Sequence, residues 1–365
     1  MAERFSKAQD VNGVGTGGLG RYDDEHRAPL LVVENFSVRF RTRRGLVRAV
    51  EGVSFELHKG KTLGIVGESG CGKTVLSRSI MGLLHDPKVE RSGRVLFEGR
   101  DVTELSRRQG RSIRGTEMAM VFQDPMTSLN PVMKVGKQIT EGMKAHLGLT
   151  AEQRIESAVR LLRSVGIPSP ERRMEQYPFE LSGGMRQRVT IAIAMACNPK
   201  LLLADEPTTA LDVTIQAQIL NLLDVEKRDR NMGMILVTHD LGVVAGRTDE
   251  IIVMYAGQVV ERAPTAELFS AIRHPYTEAL LRSIPKLDEP SGTPLEAIGG
   301  RPPALHAIPP GCRFAPRCPY AQPRCFDQEP PLMSHPSVSA AHTFACWYPV
   351  GVDVDVRPSI GAASQ

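Results

Sequence analysis

Long apolar runs are missing from this chain. No stretch of about 18 consecutive apolar residues occurs, so no membrane-spanning helix is expected. Residues 1–10 mix charges and lack an apolar segment, which speaks against a secretory signal. Charge imbalance is small too: a net +4 over 365 residues does not by itself point to nucleic acid. There is no internal repeat, no heptad pattern long enough for a coiled coil, and no C-x-x-C pair. These absences favour a chain that works in the cytosol. Any membrane duty would then need docking onto a separate membrane subunit. Apolar residues make up 41% and charged residues 24%, which supports a packed core and excludes global disorder.

Glycines at 13, 15, 17, 18 and 20 mark residues 1–29 as a flexible tail. Leu31, Val33, Phe36, Val38 and Phe40, then Val50, Val53 and Phe55, give short strand patterns. A turn at Lys59, Gly60 and Lys61 leads into Thr62–Val66, an apolar run suited to a buried strand. Two similar runs cover residues 201–204 and 234–237. Residues 132–176 read as helical. Thr150 and Gln153 form a capping box, and Ile155, Val159, Leu162 and Gly166 recur at helical spacing. Strands alternating with helices predict an α/β core. From about residue 285 the chain turns proline-rich and irregular.

Gly67, Glu68, Ser69, Gly70, Cys71, Gly72, Lys73 and Thr74 fit G-x-x-x-x-G-K-[ST] between a strand and a helix, the context of a P-loop. Its glycines let backbone N–H groups approach phosphates, and the helix N-terminus adds a favourable dipole. Lys73 would reach the β- and γ-phosphates and Thr74 would hold Mg²⁺, with Cys71 contributing only backbone. The strand at 201–204 presents Asp205 at its C-terminal end, where α/β sheets bind ligands. Asp205 would bind Mg²⁺. Glu206 could then polarise the attacking water as a general base.

Leu181, Ser182, Gly183, Gly184, Met185, Arg186, Gln187 and Arg188 build a second anion cradle: a hydroxyl, two glycines and a helix start. This segment resembles the signature of ATP-binding-cassette (ABC) ATPases. The resemblance implies an ABC-type P-loop fold: a RecA-like core, an antiparallel β subdomain and an inserted helical subdomain at about 124–185. It implies that the Ser182 cradle, with Gln187, closes on ATP held by a second ATPase subunit, for which a paralogue is preferred and a second copy of this chain is the alternative. Gln123 matches the loop that senses Mg²⁺ and the γ-phosphate. Ala210, Leu211 and Asp212 match the loop that crosses the dimer interface. His239 matches the switch histidine, and Phe40 is the choice for stacking on adenine.

Segments 124–131, 205–212 and His274-Pro275-Tyr276-Thr277 look like the ATPase subunits of oligopeptide and dipeptide importers. The likeness implies a tail at 1–29, an ATPase domain at 30–284, a small Cys-rich extension at 285–350 and a tail at 351–365. It implies two polytopic permeases, an extracytoplasmic solute-binding protein and a peripheral site on the cytoplasmic membrane face. Nickel or another solute is the alternative cargo. A DNA-associated ABC ATPase is the rival class, disfavoured by the single cassette, and no nucleic-acid partner is expected. Cys312, Cys318, Cys325 and Cys346 crowd into the extension. In a reducing cytosol they read as a metal site, and their wide spacing favours a [4Fe–4S] cluster over zinc.

Overall fold

The computed structural model describes residues 28–103, 105–209, 211–284 and 298–352. The expected tails at 1–29 and 351–365 lie almost wholly outside these bounds, as does Ala210. The chain begins with two long strands, β1 (Leu31–Thr42) and β2 (Gly45–Leu57), then β3 (Thr62–Val66) and helix α1 (Lys73–Ile80). Next come β4 (Val89–Phe97), β5 (Arg100–Asp101), α2 (Arg107–Ile113) and β6 (Met118–Val121). Five helices follow: α3 (Pro125–Ser128), α4 (Val135–His146), α5 (Ala151–Ser164), α6 (Pro170–Met174) and α7 (Gly183–Met195). The chain returns through β7 (Leu201–Asp205), α8 (Val213–Arg230), β8 (Gly233–Thr238), α9 (Leu241–Val244), β9 (Glu250–Tyr255) and β10 (Gln258–Pro264). It ends with α10 (Thr265–Ser270), α11 (Pro275–Arg282), α12 (Pro323–Asp327) and β11 (Thr343–Phe344).

Two sheets organise these elements. One is antiparallel, in the order β2-β1-β4-β5. The other runs β11-β10-β9-β3-β8-β7-β6, with β6, β7, β8, β3 and β9 parallel. β3, β6, β7 and β8 are buried at every position, as parallel strands covered on both faces must be. Their alternation divides the core. Leu63, Ile65, Leu201, Leu203, Ile235 and Val237 pack with the antiparallel sheet. Leu202, Ala204, Met234 and Leu236 pack with the helices inserted between β6 and β7.

Within that insertion the Thr150–Gln153 capping box starts α5 as the sequence indicates. The buried face of α5 differs from the expected one. Leu162 is buried as expected and Val159 packs against the core, but Ile155 is exposed, and Ala158 and Leu161 complete the buried face. Gly166, at φ +71°, ends the helix in a left-handed turn that a side chain would strain.

Candidate functional site

The P-loop joins β3 to α1. A Cβ on Gly67 would sit 2.2 Å from the Met254 carbonyl oxygen, and one on Gly72 2.1 Å from that of Ala49, so neither position admits a side chain. Lys73 is buried, and its Nζ donates to the carbonyls of Gly67 (2.6 Å) and Glu68 (3.0 Å). The ammonium thus folds back on the loop that would present it to phosphate. Cys71 is buried beneath it, and burial pushes its thiol up, which fits a bystander. Ser69 and Gly70 form the exposed lip of the loop.

β7 delivers the acidic pair. Asp205 is fully buried; its Oδ1 accepts a 3.1 Å hydrogen bond from the Thr74 hydroxyl and its Oδ2 has no protein partner. Burial raises its carboxyl, against the pull of the Thr74 bond. An orphaned carboxylate oxygen beside a P-loop hydroxyl fits a Mg²⁺ ion, which takes oxygen ligands.

Glu206 has a left-handed backbone, φ +47°, rare for a residue with a side chain and a mark of functional strain. The twist brings its carboxylate to a junction. Oε2 accepts from Gln123 Nε2 (3.0 Å) and Thr209 Oγ1 (2.9 Å) and lies 3.4 Å from His239 Nδ1. Oε1 stands 3.9 Å from Lys73 Nζ. The His239 contact, then Thr209 and Lys73, hold the carboxyl below its usual range, and Glu206 in turn raises His239. Lys73, Thr74, Gln123, Asp205, Glu206 and His239 therefore converge from β3, β6, β7 and β8. Thr209 joins them; it stands in the 205–212 segment, whose likeness assigns it no role.

The second cradle stands apart. Ser182 caps α7, its Oγ accepting from the Met185 N–H, and Gly183 opens to free space. Gly184 abuts Ile215 on α8, the helix that Asp212 caps through the Ile215 N–H. No described hydrogen bond or ion pair links this group to the P-loop cluster. Gln187 lies one turn inside α7, only 1% exposed with neither amide atom partnered. It offers nothing to the cradle's exposed face, contrary to its expected place among the nucleotide contacts. Phe40 is half-buried on β1, opposite Val47, two residues short of the Ala49 that confines Gly72.

The expected [4Fe–4S] cluster, and zinc as its alternative, is overturned. Among the described residues, no group of three or more His, Cys, Asp or Glu side chains is placed to hold a metal ion. Cys312, Cys318, Cys325 and Cys346 do line one narrow cavity, with Phe314, Tyr320 and Trp347 around them. Burial among these groups raises the thiols of Cys312 and Cys346 and pushes Cys318 up to about 12. Sequence spacing could not show that environment.

Another contact was not foreseen. Arg317 donates to both carboxylate oxygens of Glu68, at 2.6 and 2.9 Å, and the Glu68 N–H donates to the Tyr276 hydroxyl at 2.8 Å. The His-Pro-Tyr segment marked this stretch, but nothing in it announced a tie to the P-loop.

Comparison with known proteins accords with this geometry. Residues 50–209 match the ABC transporter family, and residues 260–325 match the oligopeptide/dipeptide transporter C-terminal region. The oligopeptide transport ATP-binding protein OppD of Bacillus subtilis is 52% identical over 87% of this chain and 88% of its own length. The dipeptide transport ATP-binding protein DppD of Escherichia coli is 48% identical over 91% and 99%. A dimeric ATP-binding cassette solved in a post-hydrolysis state with ADP and Pi superposes with a TM-score of 0.59. It shares 26% identity and covers 64% of this chain and 98% of that one. A P-loop, a paired Asp and Glu, a separate signature cradle and this degree of likeness together make the chain an ABC ATPase, a member of the oligopeptide and dipeptide transport ATP-binding family.

Proposed function

We propose that this chain binds and hydrolyses ATP to drive import of dipeptides or oligopeptides through a separate membrane permease. One observation carries the reading: Glu206, held deprotonated, meets Gln123, Thr209 and His239 beside Lys73. Glu206 takes the proton of the attacking water, and Gln123 and His239 orient that water and the γ-phosphate. Lys73 leaves the Gly67 and Glu68 carbonyls for the phosphates. Thr74 and Asp205, with Gln123, would hold Mg²⁺, which neutralises charge on the β- and γ-phosphates.

The exposed Ser182–Gly183 cradle is half of a site, and it supports a sandwich with a second ATPase subunit, a paralogue by preference. Among the described residues no helix is long and apolar enough to cross a membrane, which supports a peripheral subunit on the cytoplasmic face and permeases on separate chains. A largely apolar groove lined by Leu83, Met120, Phe122, Leu129 and Ile193 lies beside Gln123 and suits a short permease helix. A solute-binding protein outside the membrane would complete the assembly.

The test is peptide uptake and ATP turnover by the assembled transporter in vesicles. Glu206→Gln should bind ATP, lower single-turnover hydrolysis at its own site by about 10²–10⁴-fold and lower peptide uptake with it. Phe122→Ala should keep ATP binding and turnover but lower peptide uptake per ATP. Uptake of labelled peptide at the wild-type rate by the Glu206→Gln transporter would overturn the assignment.

A further inference from the structure

Glu68 is an odd residue for a phosphate cradle. Its carboxylate stands one residue from Gly67, where it would repel the phosphates the loop must gather. The structure shows what offsets it. Arg317, 249 positions later in the chain, closes a two-pronged ion pair on that carboxylate, and its own side chain is 3% exposed. The remaining guanidinium donors are satisfied: Arg317 donates to Tyr255 Oη (3.2 Å), the Gly299 carbonyl (2.8 Å) and the Ile298 carbonyl (3.2 Å). Its guanidinium also lies over the Tyr255 and Phe314 rings. Glu68 strongly favours the charged form of Arg317.

A second tie reaches the same residue. The Tyr276 hydroxyl accepts the Glu68 N–H, and its ring is fully buried against Tyr255 and Phe314. Inside the loop, the Glu68 carbonyl accepts from Lys73. All three handles of Glu68 are therefore held: the carbonyl by the P-loop lysine, the N–H and the carboxylate by the region after β10.

We propose that Arg317 and Tyr276 are positioning residues of the ATP site, which fix the P-loop from outside through Glu68 and cancel its charge. The proposal rests on the reading of the P-loop as an ATP site. Packing alone would not select a forked cation here, since an apolar side chain could fill the space between Phe314 and Tyr255. A fork aimed at a P-loop carboxylate instead fixes both the shape and the charge of the cradle before ATP arrives, and preorganisation of this kind shows as affinity.

The test is ATP binding and steady-state turnover by the full-length chain, free and in the assembled transporter. Lys73→Ala serves as the binding-deficient control and thermal unfolding is followed in parallel. Arg317→Ala should raise Kd and KM for ATP roughly tenfold, the weight of one good charged hydrogen bond, and change kcat less. Arg317→Lys, which keeps the charge and loses the fork, should fall between. Glu68→Gln removes the repulsion and leaves the other Arg317 bonds in place. The double variant Glu68→Gln with Arg317→Ala should therefore bind ATP no worse than Arg317→Ala alone. Additive losses in the double variant, or wild-type affinity in Arg317→Ala, would overturn the proposal. A wild-type chain that bound no more ATP than Lys73→Ala would overturn the reading beneath it.

Discussion

Lys73 and Arg317 both grip the P-loop, and they come from regions built in different ways. Lys73 opens α1, which follows β3 of a sheet whose central strands are buried at every position and whose register is fixed by paired backbone. Arg317 belongs to residues 298–352, which contain one short helix, one 3₁₀ turn and a two-residue strand. That segment is held by side chains. Arg313, almost fully buried, donates to the Glu51 carboxylate and the Ala256 carbonyl. Phe314 packs among Tyr255, Tyr276 and His274. β11 extends the parallel sheet only by pairing with β10. The backbone positions the chemistry in the first region. In the second, charge and aromatic contacts bind an irregular chain to that chemistry.

The largest separation between the two regions should come from Glu206→Gln. Loss of the general base should lower ATP turnover by about 10²–10⁴-fold and leave the urea midpoint of unfolding nearly unchanged. Single-turnover measurement is the appropriate check, since a competent partner subunit would mask part of the loss. A stability loss as large as the activity loss would break the division. Phe314→Ala should do the reverse. Truncating this buried ring should cost about 3–5 kcal/mol, read by urea unfolding, because Phe314 is the shared neighbour of Tyr255, Tyr276 and the Arg317 guanidinium. ATP affinity should fall with it. Unchanged affinity would show that the segment stabilises the fold without bracing the loop.

The same division explains what the sequence could tell. The run Thr62–Val66 is β3 to the residue, and residues 201–204 and 234–237 lie within β7 and β8. Continuous burial leaves a continuous apolar run, which is easily read. β4 is not legible, because its middle, residues 91–94, is exposed and the strand lacks a clean alternation. α5 misled for a related reason: Ile155 has the right spacing for a core position and faces solvent. Among the site residues, Lys73, Thr74, Gln123, Asp205, Glu206 and His239 could be named because short motifs fix them next to strand ends. Arg317 and Tyr276 act through tertiary contacts that no local spacing encodes, and Thr209 through a local bond that depends on the left-handed backbone at Glu206. The cysteines show the opposite error. Four thiols at suggestive spacing read as ligands, but spacing does not show how the folded chain places them, and among the described residues they form no group able to hold a metal ion.

The smallest effect expected is also the most specific to the segment's seam with the sheet. His274 caps α11, its Nδ1 accepting the Tyr276 N–H at 3.0 Å, and it is almost fully buried against Phe314. Burial lowers its pKa from 6.5 to about 4, and the Glu261 carboxylate and a hydrogen bond to the Ala345 backbone only partly oppose this. Glu261 is itself engaged, accepting from the Arg273 and His274 N–H groups and lying 2.8 Å from His342 Nε2. The folded state therefore keeps His274 neutral where the unfolded chain would protonate it. A depressed pKa gives stability that is complete above pH 6.5 and is lost as pH falls toward about 4, amounting to about 3 kcal/mol over the full window. His274→Asn keeps a side-chain oxygen able to cap α11 and removes the titration. The variant should pay a fixed, pH-independent cost, and the stability gap between wild type and variant should shrink as pH falls from 6.5 to 4. Urea unfolding of both chains across that range is the measurement. A gap that stays constant would mean that His274 is not held neutral, and that the seam between α11 and the segment is wetter than its packing indicates.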